Sequence, residues 1–184
     1  NGEDPILLVM PSDHLIKNQG AFLQAIEHAT PFALQGKLIT FGAKPEYPET
    51  GYGYINLESV SEPVNQVARF VEKPNEKLAK EYCESGDYFW NTGIFMFKAS
   101  SFLSELEQYS PAIYNACKVT FASRYDDLGD IKFDAELFTA IPEDSIDYAL
   151  LEKSSNVMCA PVNMGWNDLG AWNSIADNLP ASQH

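Results

Sequence analysis

Apolar side chains along this sequence switch between two rhythms. Ile6-Leu7-Leu8-Val9-Met10 is a short continuous apolar run stopped by Pro11, and such a run without alternation predicts a strand buried on both faces of a parallel sheet. Phe22, Leu23, Ile26 and Ala29 then recur at helical spacing over residues 19–30. Lys37–Gly42 (KLITFG) returns to β-formers, so strand, helix and strand follow one another at the size of one βαβ unit. Further on, Gly51–Asn56 reads as extended, Val67–Glu72 alternates as a strand does, and Asn75 is placed to cap a helix over Glu76–Glu84. Asn91–Lys98 predicts another strand. Helices are expected over Ser100–Gln108 and Pro111–Ser123, the second with proline in the first turn, where its missing N–H is harmless. Asp144–Lys153 predicts a short helix, Asn156–Val162 an extended segment, and Leu169–Leu179 a closing helix capped by Asp168 or a neighbour. Strands alternating with helices predict an α/β fold with a mostly parallel or mixed sheet.

Composition narrows this further. At 184 residues the chain is the size of one domain. Its formal charge of −14 repels polyanions, so nucleic acid and an anionic membrane surface are excluded as expected partners. A hydrophobic fraction of 45% suits a packed core and rules out disorder. No apolar run approaches the roughly 20 residues of a membrane span. Cys83, Cys117 and Cys159 are odd in number, far apart and in no metal-like spacing, which predicts a reducing, cytoplasmic setting. The chain opens on Asn1-Gly2-Glu3-Asp4-Pro5 and runs straight into an apolar segment, so it is expected to be a piece of a longer protein.

In an open α/β sheet ligands bind beyond the carboxyl ends of the strands, which ranks the polar residues that follow predicted strands. Asp13, in Pro11-Ser12-Asp13-His14, is either an oxygen ligand for Mg²⁺ or a turn residue or helix cap; His14 beside it reads as structural. Glu72 and Lys73 precede Pro74, which should hold Lys73 extended. So placed, Lys73 suits a phosphate and Glu72 sugar hydroxyls, unless they are a solvated ion pair. Gly53, in Gly51-Tyr52-Gly53-Tyr54, either lets a ligand approach the backbone or makes a tight turn. Asn91 either meets a sugar or lies in a turn, and Asp168 is either a second carboxylate on the metal of Asp13 or a helix cap. No GxxxxGK[ST], GxSxG, HExxH or paired CxxC motif is present, so covalent hydrolysis and zinc chemistry have no support.

Taken together and in order, PSDHLI, GYGYI, RFVEKP, WNTGIFMF, SIDYALLEK and GWNDLGAW resemble the sugar-1-phosphate nucleotidylyltransferases, and among them the bacterial mannose-1-phosphate guanylyltransferases. The resemblance runs from about Ile6 to Trp172. It implies a Rossmann-like α/β fold with a mixed, mostly parallel sheet flanked by helices, and the conversion of mannose 1-phosphate and GTP to GDP-mannose and pyrophosphate. It also implies Mg²⁺ on Asp13 and Asp168, Lys73 at the sugar phosphate, Glu72 at the sugar hydroxyls, Gly53 and Asn91 lining the mannose pocket, and Asp147 close to it. The glycine-rich, basic signature with which members of that family begin is missing. Residues 1–184 are therefore expected to be a single partial domain, the sugar-and-metal half, with negligible activity alone. An uncovered sheet edge should then drive the chain into a homo-oligomer. Two alternatives are a non-catalytic module that holds a sugar phosphate and a transferase for another hexose 1-phosphate.

Overall fold

The structure, a computed structural model, describes residues 3–170. The chain runs β1 (Ile6–Val9), β2 (Leu15–Ile16), α1 (Gln19–Leu34), β3 (Leu38–Ala43), β4 (Tyr54–Leu57), β5 (Asn65–Val71), α2 (Glu76–Ser85) and β6 (Tyr88–Lys98). It continues with α3 (Ala99–Tyr109), α4 (Pro111–Ala122), β7 (Tyr125–Asp127), β8 (Asp130–Lys132), α5 (Ala135–Thr139), a π-helical turn (Asp147–Leu151), β9 (Val157–Pro161) and β10 (Trp166–Asn167). The helix expected over Leu169–Leu179 lies outside the described residues.

Local chemistry accounts for the two helices nearest the site. The Asn18 side chain accepts the Ala21 N–H and opens α1, and Asn75 accepts the Leu78 N–H and opens α2 as its spacing predicts. Phe22, Ala25, Ala29 and Ala33 form the buried face of α1, and the three alanines let the helix lie close to the sheet. The helix continues through Pro31 to Leu34, further than the predicted stop at residue 30.

Six strands form one sheet in the order β1-β6-β3-β9-β5-β4, and β4 also pairs with β6, so the last five close into a ring of pairings. Ile39, Phe41, Ile94 and Met96 point to one face, against α1. Leu38, Phe95, Phe97 and Val157 point to the other, against α3 and the π-helical turn. This is the period of two that a strand imposes, with helices covering both faces.

The fold is α/β with a mixed sheet, as expected, but the parallel share is small. Only β3 and β9 run parallel among the described pairings; β1–β6, β3–β6, β4–β5, β4–β6 and β5–β9 are antiparallel. Continuous apolar runs report burial on both faces, which helices supply whatever the strand direction. The first run also departs from its reading. Among the described residues β1 is an edge strand paired only with β6, and Leu7, Leu8, Val9 and Met10 are all exposed, Val9 by 44%.

Candidate functional site

β3 and β9 run parallel and end together at Ala43 and Pro161. Beyond those carboxyl ends lies a cavity of ≈ 160 Å³ bordered by Ala43, Tyr52, Trp90, Asn163 and Trp166. A larger apolar cavity of ≈ 520 Å³ between α3, α4 and α5 shares none of these residues and lacks convergent polar groups. None of the residues singled out in the sequence lines the smaller cavity; they form two groups next to its lining residues, Gly53 and Asn91 following Tyr52 and Trp90, and Asp168 following Asn167.

On one side a hydrogen-bonded group centres on Asn91. Between the Thr40/Phe95 and Gly42/Asn91 pairs the register shifts, two steps along β3 facing four along β6, a typical use of a bulge beside a functional site. The Asn91 carbonyl accepts from the Thr40 hydroxyl (3.2 Å) and the Gly93 N–H (3.3 Å). Its amide nitrogen donates to Asp147 Oδ1 at 3.1 Å, and its backbone N–H donates to the Gly53 carbonyl at 2.8 Å. Asn91 thus lies inside a strand, not in a turn, and its side-chain oxygen is already engaged. One amide N–H remains without a partner among the described residues.

Glu72 joins this group through Gly53. A Cβ built on Gly53 would stand 2.5 Å from Glu72 Oε2 and 3.4 Å from Asn91 Cβ, so only glycine fits there without displacing the carboxylate. The other Glu72 oxygen faces the Lys73 ammonium at 3.6 Å. Burial raises the Glu72 carboxyl above the usual range, the Asp147 charge adds to this, and Lys73 opposes it. Burial likewise raises Asp147, against the hydrogen bond from Asn91.

Lys73 departs from its predicted geometry. Its φ is +47°, a left-handed turn rather than an extended strand end. Proline after it disfavours the right-handed region, but β5 ends at Val71 and the chain must reverse into α2. A non-glycine residue held there carries roughly 1–3 kcal/mol of strain. Leu169, beside Asp168, is also left-handed at φ +53°.

On the other side are the two aspartates. β2 and β10 form an antiparallel ribbon with Trp166 opposite Ile16 and Asn167 opposite Leu15. The pairing stops there, and Asp13 and His14 before one strand and Asp168 after the other leave the ribbon from the same end. The Trp166 indole N–H donates to His14 Nδ1 at 3.1 Å and the rings meet edge-on at 5.4 Å, so His14 is structural, as read. Asp13 is exposed. Asp168 is half-buried, and its Oδ1 accepts from the Tyr52 hydroxyl (2.8 Å) and the Gly170 N–H (3.0 Å).

Carboxylates are the donor type that Mg²⁺ takes from proteins, one or two oxygens with phosphate and water completing the shell, and Asp13 and Asp168 both lie off the same end of this ribbon. Among the described residues no group of three or more His, Cys, Asp or Glu side chains could hold a metal ion. A cation here would therefore take most of its ligands from substrate.

Tyr52 was missed in the sequence, where only its flanking glycines drew attention. Its ring packs edge-on against Trp90 and Trp166, with centroids 5.2 Å from each. Burial, with Asp168 beside it, holds the phenol well above its usual range, so it remains a donor. The available signal was a lone tyrosine between two glycines.

Comparison with known proteins shows the family. The family model described as nucleotidyl transferase matches residues 1–183. A mannose-1-phosphate guanylyltransferase of Salmonella muenchen is 49% identical over 176 residues, covering 95% of this chain, and the chain spans 37% of that relative's length. A crystal structure described as mannose-6-phosphate isomerase from Helicobacter pylori superposes with a TM-score of 0.83 at 33% identity, over 91% of this chain and 66% of that one. Another, described as mannose-1-phosphate geranyltransferase from Thermus thermophilus, gives 0.80 at 31% identity, over 94% of this chain and 49% of that one.

Proposed function

This chain belongs to the nucleotidyl transferase family, and from that premise we propose that it forms the sugar-phosphate and cation face of an enzyme making GDP-mannose and pyrophosphate from mannose 1-phosphate and GTP. One observation supports the reading above the others. Gly53, Glu72, Asn91 and Asp147 come from four separate segments into one connected group, with Lys73 attached to it through Glu72.

The second pKa of a sugar phosphate lies near 6, about that of phosphoserine, so at neutral pH its oxygen is already mostly dianionic. In the reaction that oxygen bonds to the α-phosphorus of GTP, the bond from that phosphorus to the bridging oxygen breaks, and pyrophosphate leaves with the electron pair. No side chain need remove a proton. The task is to bring a dianion to a triphosphate on a protein of charge −14.

Lys73 is the cation placed to receive the sugar phosphate, its ammonium exposed on a turn that Glu72 anchors. Glu72 accepts sugar hydroxyls beside Gly53, where the missing side chain leaves room for the ring. Asn91 donates its remaining N–H to the sugar, its amide held by Thr40 and Asp147. Asp13 and Asp168 would hold Mg²⁺, which neutralises phosphate charge and aligns attacking and leaving oxygens.

The test is calorimetric titration of the chain with mannose 1-phosphate in Mg²⁺, with glucose 1-phosphate in parallel. Tighter binding of the mannose ester, lost in Lys73→Ala and weakened by chelating the metal, is expected. Binding indifferent to metal and to Asp168→Asn would favour a non-catalytic sugar-phosphate module. No binding of either ester, or binding unaffected by Lys73→Ala, would overturn the assignment.

A further inference from the structure

The Gly51–Gly53 loop touches both sides of the site through consecutive residues. The Gly53 carbonyl accepts the Asn91 backbone N–H on the sugar side, while the Tyr52 hydroxyl donates to Asp168 Oδ1 at 2.8 Å on the cation side. Tyr52 has little freedom to point elsewhere. Its ring is wedged edge-on between Trp90 and Trp166, and Trp166 is itself pinned by its indole bond to His14.

We propose that Tyr52 is a positioning residue that fixes the Asp168 carboxylate for the cation. Engaging Oδ1 from the Tyr52 hydroxyl and the Gly170 N–H fixes the rotation of the carboxylate and with it the direction of Oδ2. Asp168 needs such a partner because of its backbone. The β10 strand ends at Asn167 and Leu169 turns left-handed, so regular pairing no longer holds residue 168. Outer partners of metal-binding carboxylates hold ligand orientation, and their loss typically lowers metal affinity 10- to 100-fold. The same hydroxyl ties the cation side to the loop that packs against Glu72 and Asn91, so both halves of the site are set by one short segment.

This inference rests on the reading of Asp168 as a cation ligand, and the experiment separates the two. Mn²⁺ is titrated into the 184-residue chain in the presence of mannose 1-phosphate, against the ester without protein, and free Mn²⁺ is followed by electron paramagnetic resonance, with thermal unfolding of each metal-free variant recorded alongside. Tyr52→Phe keeps the ring and removes only the hydroxyl. It should weaken Mn²⁺ binding about tenfold or more, and the double variant with Asp168→Asn should bind no more weakly than Asp168→Asn alone, because the hydroxyl acts through that carboxylate. A Tyr52→Phe chain that unfolds at lower temperature but binds Mn²⁺ as the parent does would show a purely structural tyrosine and overturn the proposal. Additive losses in the double variant would overturn it too. Undiminished binding by Asp168→Asn, or no binding by the parent, would sink the cation reading itself.

Discussion

Replacing Gly53 by alanine tests the sugar side with a single methyl group. The new Cβ would meet Glu72 Oε2 at 2.5 Å, whereas ordinary contact begins at 3.4 Å, so the carboxylate must retreat by about 0.9 Å. The contacts with Asn91 Cβ and Phe70 Cε1 are already at 3.4 Å and need no adjustment. Gly53 is not left-handed, so alanine incurs no backbone penalty. What yields is the far end of a flexible side chain, and stability should change by less than about 1 kcal/mol, below the usual 1–3 kcal/mol of core overpacking. Binding is different. A hydrogen bond to a charged group contributes roughly 1.5–3 kcal/mol, and losing one by a displacement near 1 Å corresponds to a 10- to 150-fold rise in Kd for mannose 1-phosphate. Calorimetric titration and thermal unfolding of Gly53→Ala read the two effects separately. Unchanged affinity at unchanged stability would refute the placement of Glu72 at the sugar; a large loss of stability would refute the view that only the carboxylate gives way.

Asp147→Asn should stabilise the chain at pH 7. The folded pKa of Asp147 is raised by burial, so its contribution to stability is present below the unfolded value near 4, lost as pH rises through the folded value, and unfavourable at neutrality. Urea unfolding should show the variant's advantage shrinking as pH falls toward 4; an advantage independent of pH would contradict the assignment. Lys73→Gly should relieve roughly 1–2 kcal/mol of left-handed strain while abolishing sugar-phosphate binding, seen as a higher midpoint of thermal unfolding with no calorimetric signal. A variant less stable than the parent would show that the Lys73 turn is not strained. Light scattering should show concentration-dependent self-association through the exposed β1 edge, reduced in Val9→Lys; a parent that stays monomeric would count against an adhesive edge.

The elements with strong local signals were legible in the sequence. α2 begins where Asn75 caps it, α4 where Pro111 sits in its first turn, and β3, β5 and β9 fall within a residue or two of their apolar runs. Sheet direction was not, because an apolar run does not encode the sense of its neighbour. The β7–β8 hairpin was missed since its turn places Leu128 and Gly129 at positive φ, and leucine there carries none of the usual Asn-Gly or Asp-Gly signal. The grouping of Gly53, Glu72, Asn91 and Asp147 was anticipated through family resemblance; propensity alone would not have joined them. Lys73's left-handed turn and the Tyr52–Asp168 bond depend on contacts between segments far apart in sequence, which no local pattern records.

The eleven residues of β6 bend at Gly93, whose φ is +69°. Before that bend the strand is pinned to β4, after it to β1, and β3 accompanies both stretches. Fraying at the outer margin can thus be absorbed past the bend without tugging on Asn91. Amide protons of Ile6–Val9 should exchange with solvent long before those of Trp90 and Asn91, leaving the pocket a rigid island beside a ragged border.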